Sequence, residues 1–120
     1  MASPEFNVSR SNIILYCRHW AETVSFYRDI LKLDIASKKD WFVEFRLTDA
    51  AFLSVADQKR STVGSNSGKG LTVSLQIDDV RSARYRLEDL GIECSPVEWR
   101  WGAWAIFIHD PEGNRIELWS

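Results

Sequence analysis

The order strand, helix, strand, strand, strand occurs twice along these 120 residues. A chain that repeats one small unit must bury the same kind of face twice, so the duplication limits the fold more than any single motif. In the first copy, Asn12 to Cys17 alternates in side-chain character, as a strand does. Val24, Tyr27, Ile30 and Leu31 then fall at a helical period over Glu22 to Leu31. Leu33 to Ser37, Trp41 to Leu47 and Ala51 to Val55 complete the unit as strands, with a turn at Thr48 and Asp49. In the second copy, Leu71 to Ile77 alternates, and Asp79 caps a helix that runs through Leu90 and stops at Gly91. Ile92 to Val97, Trp104 to His109 and Asn114 to Trp119 follow as strands.

These elements predict an α+β fold of two βαβββ modules, about 11–56 and 71–120, within one domain. Each sheet carries a helix on its outer side, and the inner faces form a curved, mixed β-sheet cleft. The modules close on each other within the chain or on those of a partner chain. Residues 57–70 (DQKRSTVGSNSGKG) are polar and break both periods, so they read as a mobile linker, or as a lid over the cleft. Residues 1–10 read as a disordered tail, of which Met1 to Phe6 (MASPEF) has the look of a cloning remnant.

The final hairpin is the clearest local signal. Pro111 presets a turn and Gly113 supplies a positive φ. Alternation puts Ile106, Ile108, Ile116 and Leu118 on one face. Phe107, His109, Arg115, Glu117 and Trp119 share the other, which is too polar for a core and too aromatic for plain solvent. It reads as a cavity wall.

Composition removes several functions. The formal net charge is −2 and no basic stripe appears, so nucleic acid is not an expected partner. No apolar run approaches the roughly 18 residues of a membrane span, and no signal peptide is visible. Cys17 and Cys94 read as free thiols in a reducing cytoplasm, with a redox pair as the alternative. Tryptophan is the outlier: there are six, and Trp99, Trp101 and Trp104 sit close together. Such a cluster suits a ligand wall, a subunit interface or an aromatic core.

The run Trp20 to Ile35 (WAETVSFYRDILKLDI) resembles the S-x-x-FY-x-x-x-L-G helix of the vicinal oxygen chelate superfamily. The ending FIHDPEGNRIELW resembles the closing DP-x-G-x-x-x-E hairpin of the same superfamily. That superfamily includes glyoxalase I, bleomycin resistance proteins, fosfomycin resistance enzymes and extradiol dioxygenases. The similarity runs from about Asn12 to Trp119, with Asp34 where the helix motif usually has glycine. It implies paired βαβββ modules and a homodimer.

In metal-dependent members the ligands, typically His or Gln, Glu, His and Glu, come from the first and last strands of each module. By this resemblance those positions are Asn12, Ser54, Thr72 and Glu117. Only Glu117 is a good ligand for a transition metal; a carboxamide and two neutral hydroxyls are poor ones. No metal or other cofactor is therefore expected. A relocated site built from Glu44, His109 and Glu117 is the remaining metal arrangement. His19, at the start of the first helix, reads as a surface or capping residue.

The expected function is small-molecule binding, of the bleomycin-resistance type associated with antibiotic resistance. The expected ligand-binding residues are Asn12, Tyr16, Phe42, Glu44, Ser54, Thr72, Trp101, Trp104, Phe107, His109, Glu117 and Trp119. The rings suit an aromatic ligand, and Glu44 and Glu117 favour a cationic one. The alternative is a lyase, isomerase or dioxygenase with a rearranged site, metal-dependent or metal-free, with Glu117 or Glu44 as general base and Glu117 the leading catalytic candidate. A third reading places the tryptophans at a subunit interface, with no ligand.

Overall fold

The structure is a computed structural model that describes residues 5–120; Met1 to Pro4 of the expected tail lie outside the described residues. The first module runs β1 (Ser11–Cys17), α1 (Trp20–Ser25), β2 (Asp34–Lys39), β3 (Phe42–Arg46) and β4 (Ala51–Asp57). The second runs β5 (Thr72–Gln76), α2 (Val80–Asp89), β6 (Glu98–Arg100), β7 (Ala103–His109) and β8 (Arg115–Trp119). The sheets have strand orders β1-β4-β3-β2 and β5-β8-β7-β6, and β1 lies parallel to β4 as β5 does to β8. This is the duplicated α+β architecture expected. Among the described residues no helix is long and apolar enough to cross a membrane.

The helices follow from their sequences. Asp79 accepts from the backbone N–H groups of Arg81 and Ser82 and starts α2, and Gly91 ends it at φ +78°. Helix α1 continues into a π-helical turn over Phe26–Ile30, where Leu31 N–H donates to the Phe26 carbonyl at 3.1 Å. That wider turn belongs to the segment that sinks Tyr27 fully into the interior.

One continuous core joins the two modules. Leu15, Cys17, Val43, Phe45, Leu53 and Val55 meet Tyr27, Val24 and Phe26 on the first helix. Val73, Ile106, Ile108, Ile116 and Leu118 meet Val80 and Leu87 on α2. Each fully buried large side chain contributes about 1.5–3 kcal/mol, so these faces carry the fold. Strand β2 is exposed throughout, bulged between Ile35 and Ser37, and ends in Lys38 and Lys39. Bulges and lysines are features that keep a free edge from pairing with other chains.

Three expectations need correction. Ile92 to Val97 is not a strand; β6 begins at Glu98. Pro96 has no N–H for a ladder, and only Ser95 reaches β7, bonding Phe107 through its backbone and its hydroxyl. Residues 57–70 are docked rather than loose. Gln58 accepts from Ser65 N–H, Ser65 donates to Glu112, and Gly68 lies so close to the Gly113 carbonyl that an added Cβ would sit 2.1 Å from its oxygen. The tail is anchored at its last residue, since Arg10 bonds Glu44 at 2.9 Å.

Polar contacts lock the modules together at the β7–β8 turn. Asp110 Oδ1 accepts from the backbone N–H groups of Glu112 and Asn114, and its Oδ2 accepts from Tyr27 Oη at 2.7 Å and from Asn114 Nδ2. Buried Glu112 accepts from the N–H groups of Arg18 (2.9 Å) and His19 (2.8 Å). The turn of one module thus caps the first helix of the other.

Candidate functional site

Register arranges the polar faces of the sheets into rows. In the first module these are Asn12–Phe52–Arg46, Ile14–Ser54–Glu44 and Tyr16–Ala56–Phe42. In the second they are Thr72–Arg115–His109, Ser74–Glu117–Phe107 and Gln76–Trp119–Ala105. The structure therefore brings Asn12, Tyr16, Phe42, Glu44 and Ser54 onto one face and Thr72, Phe107, His109, Glu117 and Trp119 onto the other. No side-chain hydrogen bond among the described residues joins these two faces within the chain; each is satisfied inside its own module.

Two expected cleft residues lie elsewhere. Trp104 points to the helix side, with its ring 5.1 Å from the Trp99 ring and 5.1 Å from the Arg81 guanidinium of α2. It is one residue out of phase with Ala103 and Ala105, so alternation itself sends it there. Trp101 is 97% exposed at the β6–β7 turn. Trp101 and Gly102 both have positive φ, as a two-residue turn of this kind requires, and the ring projects from the tip.

The four positions implied by the resemblance have their oxygens engaged. Ser54, fully buried, donates to Asn12 Oδ1 at 2.8 Å. Thr72 Oγ1 accepts from Arg115 Nε at 2.9 Å, and Ser74 donates to Glu117 at 2.6 Å. A guanidinium at the third position repels any cation there. These residues do not fit a transition metal: one carboxylate, no imidazole and an adjacent positive charge cannot hold one tightly. Within the chain the alternative triad is not assembled, because Glu44 is on the first-module face and His109 lies one row from Glu117. Among the described residues no cluster of three His, Cys, Asp or Glu side chains has the geometry to ligate a metal.

Arginine is the component missing from the expected site. Arg10 and Arg46 lie over the Phe52 ring, at 3.9 and 5.1 Å from its centroid. Arg100 and Arg115 lie over Phe107, at 5.3 and 4.9 Å. Glu44 is neutralised by Arg10, and Arg100 by Glu98 at 2.6 Å. Among the described residues, what remains unpaired on these faces is Arg46 and Arg115 against Glu117, so the electrostatics do not favour a cation as the two glutamates alone suggest. Alternation already places Arg46 with Glu44 and Arg115 with Glu117; the arginines carried a signal that counting carboxylates overlooked.

Titration behaviour separates interior groups from the site. Burial, with Glu112 and Asp110 nearby, pushes the Cys17 thiol up to about 12. Both cysteines are free. Burial opposes ionisation of Glu112, but hydrogen bonds from Ser65, Arg18 N–H and His19 N–H together hold it below the usual carboxylate value. His19 makes no side-chain cap and sits 3.6 Å from Glu22. A groove of about 440 Å³ between the end of the first helix and α2, lined by Ile30, Leu31, Leu75 and Leu87, contains none of the expected site residues.

The sequence profile of the glyoxalase/bleomycin resistance protein/dioxygenase superfamily matches residues 10–118. No curated protein matches by sequence. Among solved structures, a lactoylglutathione lyase from Agrobacterium tumefaciens superposes with a TM-score of 0.74 at 24% identity, covering 98% of this chain and 95% of that one. A glyoxalase/bleomycin resistance protein from a Streptomyces species gives 0.73 at 20% identity, covering 93% and 100%. A glyoxalase/bleomycin resistance protein/dioxygenase from Nocardioides gives 0.77 at 21%, covering 98% and 85%. At these identities the likeness speaks for the fold. With the profile match across nearly the whole chain, it follows that this protein belongs to the glyoxalase/bleomycin resistance protein/dioxygenase superfamily.

Proposed function

We propose that this chain binds a small molecule with an aromatic part on its polar sheet faces, without a protein-held metal. The observation that carries the reading is the second-module face. There Phe107 and Trp119 flank Glu117 and Ser74 while helix and core occupy the opposite side of the same sheet. Rings next to oriented hydrogen-bonding groups are the ordinary make-up of a ligand pocket. The engaged oxygens of Asn12, Ser54 and Thr72 support binding rather than metal chemistry.

Each face is only half a cleft. We therefore also propose a homodimer in which the first-module face of one chain and the second-module face of its partner close on the ligand. Exposed Ile14, on the first face, is an apolar residue suited to such a contact. Two free thiols suit a reducing compartment such as the cytoplasm.

Intrinsic tryptophan fluorescence tests the ligand reading, because Trp119 stands on the face. Saturable quenching by members of a broad aromatic panel is expected, and it should be lost in Trp119→Phe. No response to any member overturns the proposal. Sedimentation tests the assembly: the expected mass is about 28 kDa, twice the 13.9 kDa of one chain. A monomer at micromolar concentration refutes it.

A further inference from the structure

We infer that the end row of the second-module face, Thr72–Arg115–His109, is an anion seat, and that the ligand proposed above is an aromatic acid carrying a carboxylate or phosphate group. The inference rests on that small-molecule reading and specifies which molecules it concerns. Four observations carry it.

First, among the described residues Arg115 has no carboxylate within 4 Å, and of the arginines in that state it is the one that lines this depression. Its charge is available. Second, the guanidinium is held ready. Nε donates to Thr72 Oγ1 at 2.9 Å and the plane rests on Phe107, 4.9 Å from its centroid. Arginine has five N–H donors in a planar fork, so the four on its terminal nitrogens are left for two acceptor oxygens. Holding the fork before the ligand arrives reduces the ordering cost of binding.

Third, register sets the exposed His109 imidazole directly beside Arg115, and the hydroxyl-bearing Thr72 on its other side. Fourth, these three side chains border a depression of about 460 Å³ whose other walls are Gly68, Gly70, Leu71 and Gly113. Three of those four residues have no side chain to obstruct an incoming group. Glu117 lies one row farther in and is occupied by Ser74. An acid seated on the end row therefore leaves the ligand's ring directed along the face, past the arginine-covered Phe107 and toward Trp119.

The experiment compares affinities for one ring bearing different charges: benzoate, phenyl phosphate, benzyl alcohol and benzylamine, read by tryptophan fluorescence and calorimetry. Benzoate or phenyl phosphate should bind at least tenfold tighter than benzyl alcohol, and benzylamine weakest. Whichever of the two anions binds tighter identifies the acid. Arg115→Gln should abolish the preference for the anion while changing benzyl alcohol affinity less than twofold, and Arg81→Gln, on the helix side, should change neither.

Equal affinities across the series, or an anion preference that survives Arg115→Gln, overturn the inference while the aromatic-binding reading stands. If no aromatic compound binds, inorganic phosphate alone decides. A saturable shift of the Arg115 Nε–H resonance, absent from Arg115→Gln, upholds the anion seat and removes only the aromatic reading. No shift removes both.

Discussion

Glu112→Gln probes the joint between the modules. The wild-type carboxylate is buried and accepts two backbone N–H groups from the start of the first helix, plus the Ser65 hydroxyl. Glutamine keeps the shape and one carbonyl acceptor but loses the charge. The amide NH2 faces one of the two N–H donors, which bond different carboxylate oxygens. A hydrogen bond to a charged group is worth about 1.5–3 kcal/mol and a neutral one about 0.5–1.5, so losing one such bond and weakening the other costs at least about 2 kcal/mol. In a domain of this size that is a fall in Tm of about 6–10 °C. The pH dependence follows from the lowered pKa of Glu112. A carboxylate with a folded-state pKa below its unfolded value stabilises the fold above the unfolded value, near 4.5. That contribution is lost as pH falls through the folded value. Urea denaturation of both proteins at pH 7, 5, 4 and 3.5 should give a gap of at least about 2 kcal/mol at neutral pH that narrows below 4.5. Equal midpoints at pH 7, or a gap that stays constant to the lowest pH, would refute the assignment of Glu112 as the charged cap.

Tyr27→Phe removes a buried donor to Asp110 and should cost about 1.5–3 kcal/mol in the same assay; no loss refutes the link. Because burial raises the Tyr27 phenol well above its ordinary value of 10, stability should also fall as pH rises past 10, and this fall should be smaller in the Phe variant. Gly68→Ala places a Cβ against the Gly113 carbonyl, whereas Gly70→Ala meets nothing within 4 Å, and both have positive φ. Gly70→Ala should therefore cost only the left-handed strain of about 1–2 kcal/mol, and Gly68→Ala clearly more; equal losses refute close docking of 57–70. With a thiol reagent at pH 8, Cys94 should react first and Cys17 only as fast as the protein opens, so two equal fast phases contradict the buried, protonated thiol.

The fold was legible because its signals are local. Alternation in Trp41 to Leu47, the cap at Asp79 and the stop at Gly91 each report the conformation of a few neighbouring residues, and the structure carries each of them out. Ile92 to Val97 failed because its apolar residues do pack against the core, but as an irregular segment. Hydrophobicity reports burial, and only the missing N–H of Pro96 reports the absent ladder. The docking of 57–70 was equally hidden. Its glycines look like markers of freedom, but Gly68 is where two backbones approach too closely for any side chain.

The site was legible as a set of faces but not as a charge distribution. Which side a residue takes depends on its own strand, and alternation gives that directly. What the residue can do depends on strands far away in sequence. Glu44 is an available acid only if Arg10, 34 positions earlier, is absent from it, and in the fold it is not. Thr72 is a neutral hydroxyl in the sequence and the support of a guanidinium in the structure, because the parallel pairing of β5 with β8 sets it opposite Arg115. Phe107 reads as an open stacking surface, yet two arginines already lie over it. A count of acids over the predicted face predicts attraction for cations; the same face with its cross-strand partners in place presents stacked guanidinium groups. The sign of the charge a cleft prefers is thus a property of register, and register is fixed by the apolar faces on the far side of the same strands.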